Sequence, residues 1–160
     1  MPIVVRMAPN IEILYVMVYG PCLLSEMFAV ATAPEHDPAH RPRMKLIIDC
    51  LYADLEIDTE GMRDGVSFIR DLDQTGFEME PTATLTRNDM VAMFFSALDL
   101  MVNDRQEIRK SFKTLDEAIH WLGATEYTAA ICQIQQELLG QARAEALAWL
   151  KPTASSLPPD

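Results

Sequence analysis

The sequence is poor in positive charge: 13 Lys and Arg stand against 24 Asp and Glu, a formal −11 at pH 7. A surface of that sign repels phosphate backbones, which sets nucleic acid aside as a direct partner. Long hydrophobic runs are missing too, and no stretch approaches the roughly 18 to 20 apolar residues that span a bilayer. Residues 1–6 lack the basic start, apolar run and small-residue cleavage site of a signal peptide. A cytoplasmic location is therefore expected. Cysteine is scarce, with Cys22, Cys50 and Cys132 odd in number and far apart. That is no disulfide scaffold, and buried, reduced thiols are the expectation. There is no Gly-rich phosphate loop, no G-x-S-x-G elbow and no H-E-x-x-H helix. The chain is accordingly expected to be no enzyme and to need no cofactor or metal. His36, Asp37 and His40 offer ligand chemistry, but Pro34, Pro38 and Pro42 deny them a helical geometry.

What the sequence does contain is alternation. Residues 3–7 and 11–19 are β-rich runs around Ala8-Pro9-Asn10, which reads as a hairpin closed by Gly20-Pro21. Leu23, Leu24, Met27, Phe28 and Ala31 recur at helical spacing, and the proline-rich stretch 34–42 reads as an exposed loop. Residues 44–50 form an apolar strand containing Asp49, followed after a loop by a helix with Met62, Val66, Ile69 and Leu72 on its buried stripe. A strand at 82–85 leads to a helix that Asn88 can cap, with Met90, Met93, Phe94, Ala97 and Leu98 expected inward. A strand at 108–112 precedes Thr114 and Glu117, spaced as a capping box for a short helix that stops at Gly123. His120, beside Trp121 on that helix, reads as a packing residue. The order β-β-α-β-α-β-α-β-α predicts a mixed, four- to five-stranded α/β sheet with packed helices over residues 1–124.

Residues 125–151 read as an added amphipathic helix, capped by Thr125, with Tyr127, Ile131, Ile134 and Leu138 on one stripe. It either lies across the domain or pairs with a copy of itself. Residues 152–160, with three prolines, read as a disordered tail.

The run Ile108-Arg109-Lys110-Ser111-Phe112-Lys113-Thr114-Leu115-Asp116-Glu117-Ala118-Ile119-His120-Trp121-Leu122-Gly123 resembles the closing signature of the SpoIIAA-like proteins, a bacterial family related to STAS domains. The resemblance covers about residues 3–123 and implies the SpoIIAA-like α/β fold. In STAS domains a strand ends in Asp, and a loop then leads to a Ser or Thr that accepts phosphate at a helix N-terminus. Carried over, Asp49 takes the strand position and Asp58-Thr59-Glu60-Gly61 the helix opening, with Thr59 as the phospho-acceptor. A phosphate there would meet free N–H groups and the positive end of the helix dipole. Glu60 stands where the pattern has a second serine. Read from the residues alone, Asp58 or Thr59 simply caps the helix.

Three further features bear on function. Between positions 49 and 80 lie ten acidic residues and two basic ones, Arg63 and Arg70, a net −8 able to steer a basic protein partner. At strand C-terminal ends, Tyr52, Arg87, Asn88 and Ser111 could line a ligand crevice. Met27, Met62, Met90 and Met93 fall on expected inward stripes and could line an adaptable apolar pocket. The reading that follows is a non-enzymatic regulatory or protein-interaction module, homodimeric, acting through the acidic 49–80 region. Its alternative is a small-molecule or lipid-binding protein with an apolar pocket between sheet and helices.

Overall fold

A computed structural model describes residues 2–31, 44–74, 80–100 and 108–149. The loop expected at 34–42, with His36, Asp37 and His40, Gly76 and the tail at 152–160 lie outside the described residues. Five strands, β1 (Ile3–Ala8), β2 (Ile13–Leu23), β3 (Lys45–Glu56), β4 (Thr82–Leu85) and β5 (Arg109–Phe112), form one sheet in sequential order. β1 runs antiparallel to β2, and β2 to β5 are mutually parallel. The mixed sheet with an opening hairpin is thus as the alternation predicts.

Helices α1 (Leu24–Ala31), α2 (Thr59–Gln74) and α3 (Asp89–Leu100) link successive parallel strands. Leu24, Met27 and Phe28 of α1 and Val91, Phe95 and Leu98 of α3 bury one face with Val18, Cys22, Cys50 and Leu55 of the sheet. Helices α4 (Leu115–Trp121) and α5 (Thr128–Trp149) cover the other face, where Ala118, Ile119, Ile131 and Leu138 meet Ile13, Tyr15, Met17, Ile47 and Leu85. The result is three layers, helix on sheet on helix. Of the two arrangements open to the C-terminal helix, it lies across its own domain.

Several expectations need correction. Gly20 and Pro21 do not end β2, which continues to Leu23 by pairing Tyr19–Leu23 with Tyr52–Glu56. β1 pairs with β2 only as far as Val18, so Pro21 stands where β2 has an open edge and its missing N–H costs no ladder bond. β3 likewise runs six residues past the expected end at Cys50, pairing with β2 through the stretch expected as loop. Thr125 opens a short 3-10 turn, and α5 begins only at Thr128. Cys132 and His120 are exposed rather than buried. Cys22 and Cys50 are buried as expected, and burial pushes the Cys22 thiol up to about 11.

The inward face of α2 also differs. Gly61 and Gly65 are buried and Met62 is exposed, while the Ile69 and Leu72 side chains lie outside the described residues. A Cβ on Gly61 would sit 2.5 Å from the Ser25 nitrogen, and one on Gly65 would sit 2.9 Å from the Phe28 ring. The pair, one helical turn apart, lets α2 press against α1 where any side chain would hold it off.

Candidate functional site

The helix opening at 58–61 is a shared cap. Asp58 accepts from the Gly61 N–H at 3.3 Å at the start of its own helix, and from the Ser25 N–H at 3.1 Å at the start of α1. One carboxylate thus satisfies orphan donors of two helices. Partial desolvation pushes its pKa up, but the bonds from Ser25 and Gly61 outweigh that and hold the carboxyl below its ordinary range. Glu26 adds to the junction by accepting from the Leu23 N–H at 2.8 Å. Thr59 is exposed at the first position of α2.

Asp49 is not part of that junction. It is 0% exposed and lies on the opposite face of the sheet, under α5. The pairing of β2 with β3 shifts register here: Met17 opposes Asp49, yet Tyr19 opposes Tyr52, so β3 carries one extra residue. Leu51 falls in this bulge, and its N–H turns to Asp49 Oδ1 at 3.0 Å. Asp49 Oδ2 accepts from the Tyr15 hydroxyl at 2.7 Å and from Gln135 Nε2 of α5 at 2.8 Å. All three partners are donors, which suits an acceptor-only carboxylate. Burial first, and the neighbouring Asp49 carboxylate second, push the Tyr15 phenol far above its ordinary value. The cluster is enclosed and has its hydrogen bonds made, so its chemistry is positional: it ties β2, the β3 bulge and α5 together.

Two more polar ties hold α5 to the sheet. Tyr19 of β2 donates a short hydrogen bond to Glu145, and Arg6 of β1 pairs with Glu137 at 3.0 Å. Desolvation, then the Glu145 carboxylate, raise the Tyr19 phenol to about 12.

The crevice residues are dispersed. Asn88 caps α3, accepting from the N–H groups of Met90 at 2.9 Å and Val91 at 3.4 Å. Arg87 is exposed beside it, Ser111 is half-buried in β5 opposite Thr84, and Tyr52 stands on the β2–β3 extension, three residues past the last β3–β4 pair. Among the described residues no group of three His, Cys, Asp or Glu is placed to hold a metal, and no helix is long and apolar enough to cross a membrane.

The expected inward stripe of α3 is reversed in part: Leu98 is buried and Phe94 packs against the core as expected, but Met90, Met93 and Ala97 face outward. Val91 is 1% exposed, whereas Met90 is 64%, Met93 66% and Leu100 66% exposed, with Ala97 exposed between them. Positions 90, 93, 97 and 100 form one stripe, and positions 91, 95 and 98 form the buried one. The helix is apolar on both sides, so composition alone could not say which stripe faces inward. Asn88, by fixing where the helix starts, and the wide spread of its apolar residues were the usable signals. Met62 of α2 is exposed as well, so three of the four methionines assigned to an internal pocket face outward.

No family model matches the chain, and a search of curated proteins finds no match. Among solved structures the chain is similar to an uncharacterised protein of the DUF3478 family with a SpoIIAA-like fold from Shewanella loihica PV-4. The two share 14% identity at a TM-score of 0.50, over 75% of this chain and 91% of the other. The fold is therefore SpoIIAA-like, as the closing segment at 108–123 implies.

Proposed function

We propose that this chain is a non-enzymatic interaction module that holds a protein partner against the outer face of α3 and the acidic start of α2. One observation carries the reading: α3 is apolar on both sides, and among the described residues only one side is spent on the domain's own core. A helix apolar all round is ordinarily buried all round, and a contiguous exposed apolar stripe is the ordinary mark of an interaction surface. Methionine suits such a surface because its flexible thioether adapts to varied partners. The exposed carboxylates of Glu60 and Asp71 on α2 belong to the same layer of the molecule and would attract a basic surface, whereas those of Asp54 and Glu56 alternate with Ala53 and Leu55 and lie on the other face of the sheet. Asp49 adds nothing to that field, being buried on the other face. Self-pairing through the C-terminal helix has lost its motive, since Ile131, Ile134 and Leu138 are spent on the chain's own sheet. Thr59, exposed at the start of α2, is the position where phosphorylation would modulate the contact, with Thr59→Glu as its mimic.

The test compares wild type with a Met90→Glu, Met93→Glu double variant, cross-linked in the native cell and matched by circular dichroism. A partner captured by wild type and lost by the variant supports the reading. Equal capture by both removes it.

A further inference from the structure

We infer that β3 beyond its bulge is a docking edge for an extended segment of another protein, which joins the sheet as an added strand with a basic side chain opposite Asp54. The inference goes beyond the α3 reading and uses none of its residues. β1 stops pairing with β2 at Val18, and β4 stops pairing with β3 at Asp49, yet β2 and β3 pair on to Leu23 and Glu56. That leaves a two-stranded extension with two outer edges. An unpaired edge offers its N–H and C=O groups to any extended chain.

The two edges differ chemically. Along a strand, successive residues turn their N–H and C=O groups to alternate sides. The Tyr19 N–H bonds outward, to the Pro2 carbonyl at 2.9 Å, so Pro21 and Leu23 face outward as well. Pro21 has no N–H, and the Leu23 N–H is taken by Glu26 at 2.8 Å. The β2 edge therefore has no donor left.

On β3 the Lys45 N–H bonds to Glu12, which turns residues 45, 47 and 49 toward β2. The bulge inverts that alternation. Tyr52, Asp54 and Glu56, opposite Tyr19, Pro21 and Leu23, now face β2, and Ala53 and Leu55 face outward. Among the described residues neither the N–H nor the C=O groups of Ala53 and Leu55 have a partner. β4 does not serve them, since the Thr86 N–H turns away to Phe112 of β5 at 2.9 Å. The Ala53 and Leu55 side chains pack into the core beneath, which holds this edge in place. Two donors and two acceptors in fixed alternation are the complement of an extended backbone. β4 and β5, of four residues each, show how short a ladder this sheet contains.

Register decides between occupants. The two-fold register that satisfies all four groups on two copies of this chain pairs residue 53 with residue 55 and sets the two Asp54 carboxylates directly opposite each other. Like charges so placed are destabilising, whereas an opposite charge there stabilises the pair. Asp54 thus disfavours a second copy and favours a strand carrying Lys or Arg at that position, with exposed Glu56 beside it on the same face. The exposed cation on this side, Arg87, belongs to the loop that leaves β4 and not to the position opposite Asp54.

The experiment titrates the full chain, labelled with 15N, with a short peptide that alternates valine and threonine around a central lysine. Two further peptides carry N-methyl groups on alternate residues, one set on each edge of the strand, and a fourth replaces lysine by glutamate. We expect the lysine peptide to shift the Ala53 and Leu55 amides and to slow their exchange at least tenfold. One N-methylated peptide should bind at least tenfold more weakly, and the other should bind like the parent. The glutamate peptide should bind several-fold more weakly, and Asp54→Lys, at an exposed position, should reverse that order. Absence of binding by the lysine peptide overturns the inference, as do equal losses for both N-methylated peptides or shifts that avoid Ala53 and Leu55. Slower exchange at these two amides with rising protein concentration alone would assign the edge to a second copy and overturn it as well. The Met90→Glu, Met93→Glu variant should bind the lysine peptide like wild type, so this inference and the α3 reading stand or fall separately.

Discussion

Gln135 of α5 donates a hydrogen bond of 2.8 Å to the carboxylate of Asp49, 86 positions earlier in the chain and buried in β3. This contact joins the C-terminal helix to the irregular point of the β2–β3 pairing, where the β3 bulge releases the Leu51 N–H to the same carboxylate. Three donors surround this buried acid, the Tyr15 hydroxyl, the Leu51 N–H and the Gln135 amide, so its burial leaves its oxygens hydrogen-bonded.

Replacing Gln135 by Leu keeps the apolar packing but leaves the buried carboxylate one donor short. The expected loss is about 1–3 kcal/mol of folding stability, read by urea denaturation. Amide exchange in α5 should accelerate more than exchange in α3. A neutral effect would mean that solvent replaces the amide.

Asp58 gives the chain an acid-sensitive junction. Its carboxyl pKa is held below the ordinary value in the folded state by the N–H groups of Ser25 and Gly61. The stability it contributes is therefore fully present above the unfolded value near 3.8 and is lost as pH falls through the lower folded value. Asp58→Asn keeps an acceptor but cannot titrate, so its stability curve should fall less steeply below pH 4 than that of wild type.

Gly65→Ala tests the close approach of α2 to α1. The added methyl would lie 2.9 Å from the Phe28 ring, and overpacking of this kind costs about 1–3 kcal/mol. Adding Phe28→Leu should recover part of the loss. Gly61→Ala should be worse and should not respond to Phe28→Leu, because its methyl meets the Ser25 backbone nitrogen.

Tyr19 governs part of the alkaline limit. Its phenol is raised from 10.0 to about 12 by desolvation and by Glu145. The stability it contributes is present below pH 10 and is lost as pH rises through 12. Tyr19→Phe should make the decline between pH 10 and 12 shallower without abolishing it, since the Tyr15 phenol is raised as well.

The order of strands and helices was legible because period-2 and period-3.6 patterns alternate cleanly between residues 3 and 123. The caps at Asn88 and Thr114 were legible from local chemistry, and each bonds as its spacing implies: Thr114 accepts from the Glu117 N–H at 3.3 Å. Strand ends were not, since pairing between Tyr19–Leu23 and Tyr52–Glu56 overrides the local breakers Gly20 and Pro21. Nor was the Asp49 cluster, whose members lie in β2, β3 and α5. Its one local trace is Gln135, a polar residue standing inside the buried stripe formed by Ile131, Ile134, Leu138 and Leu139. Periodicity points Met90 and Met93 inward and the structure turns them outward, because hydrophobicity marks what can be buried while only packing decides what is.

The interaction surface is tested most directly by methionine oxidation read by peptide mass spectrometry, on the purified chain and in gently lysed native cells. With the purified chain, mild peroxide should oxidise Met90 and Met93 well before Met27, which is 6% exposed. In the lysate, at matched peroxide, Met90 and Met93 should be protected several-fold while exposed Met7 on β1 is oxidised as before. Equal oxidation of Met90 and Met93 in both preparations would show that nothing covers α3 in the cell, and would contradict the account.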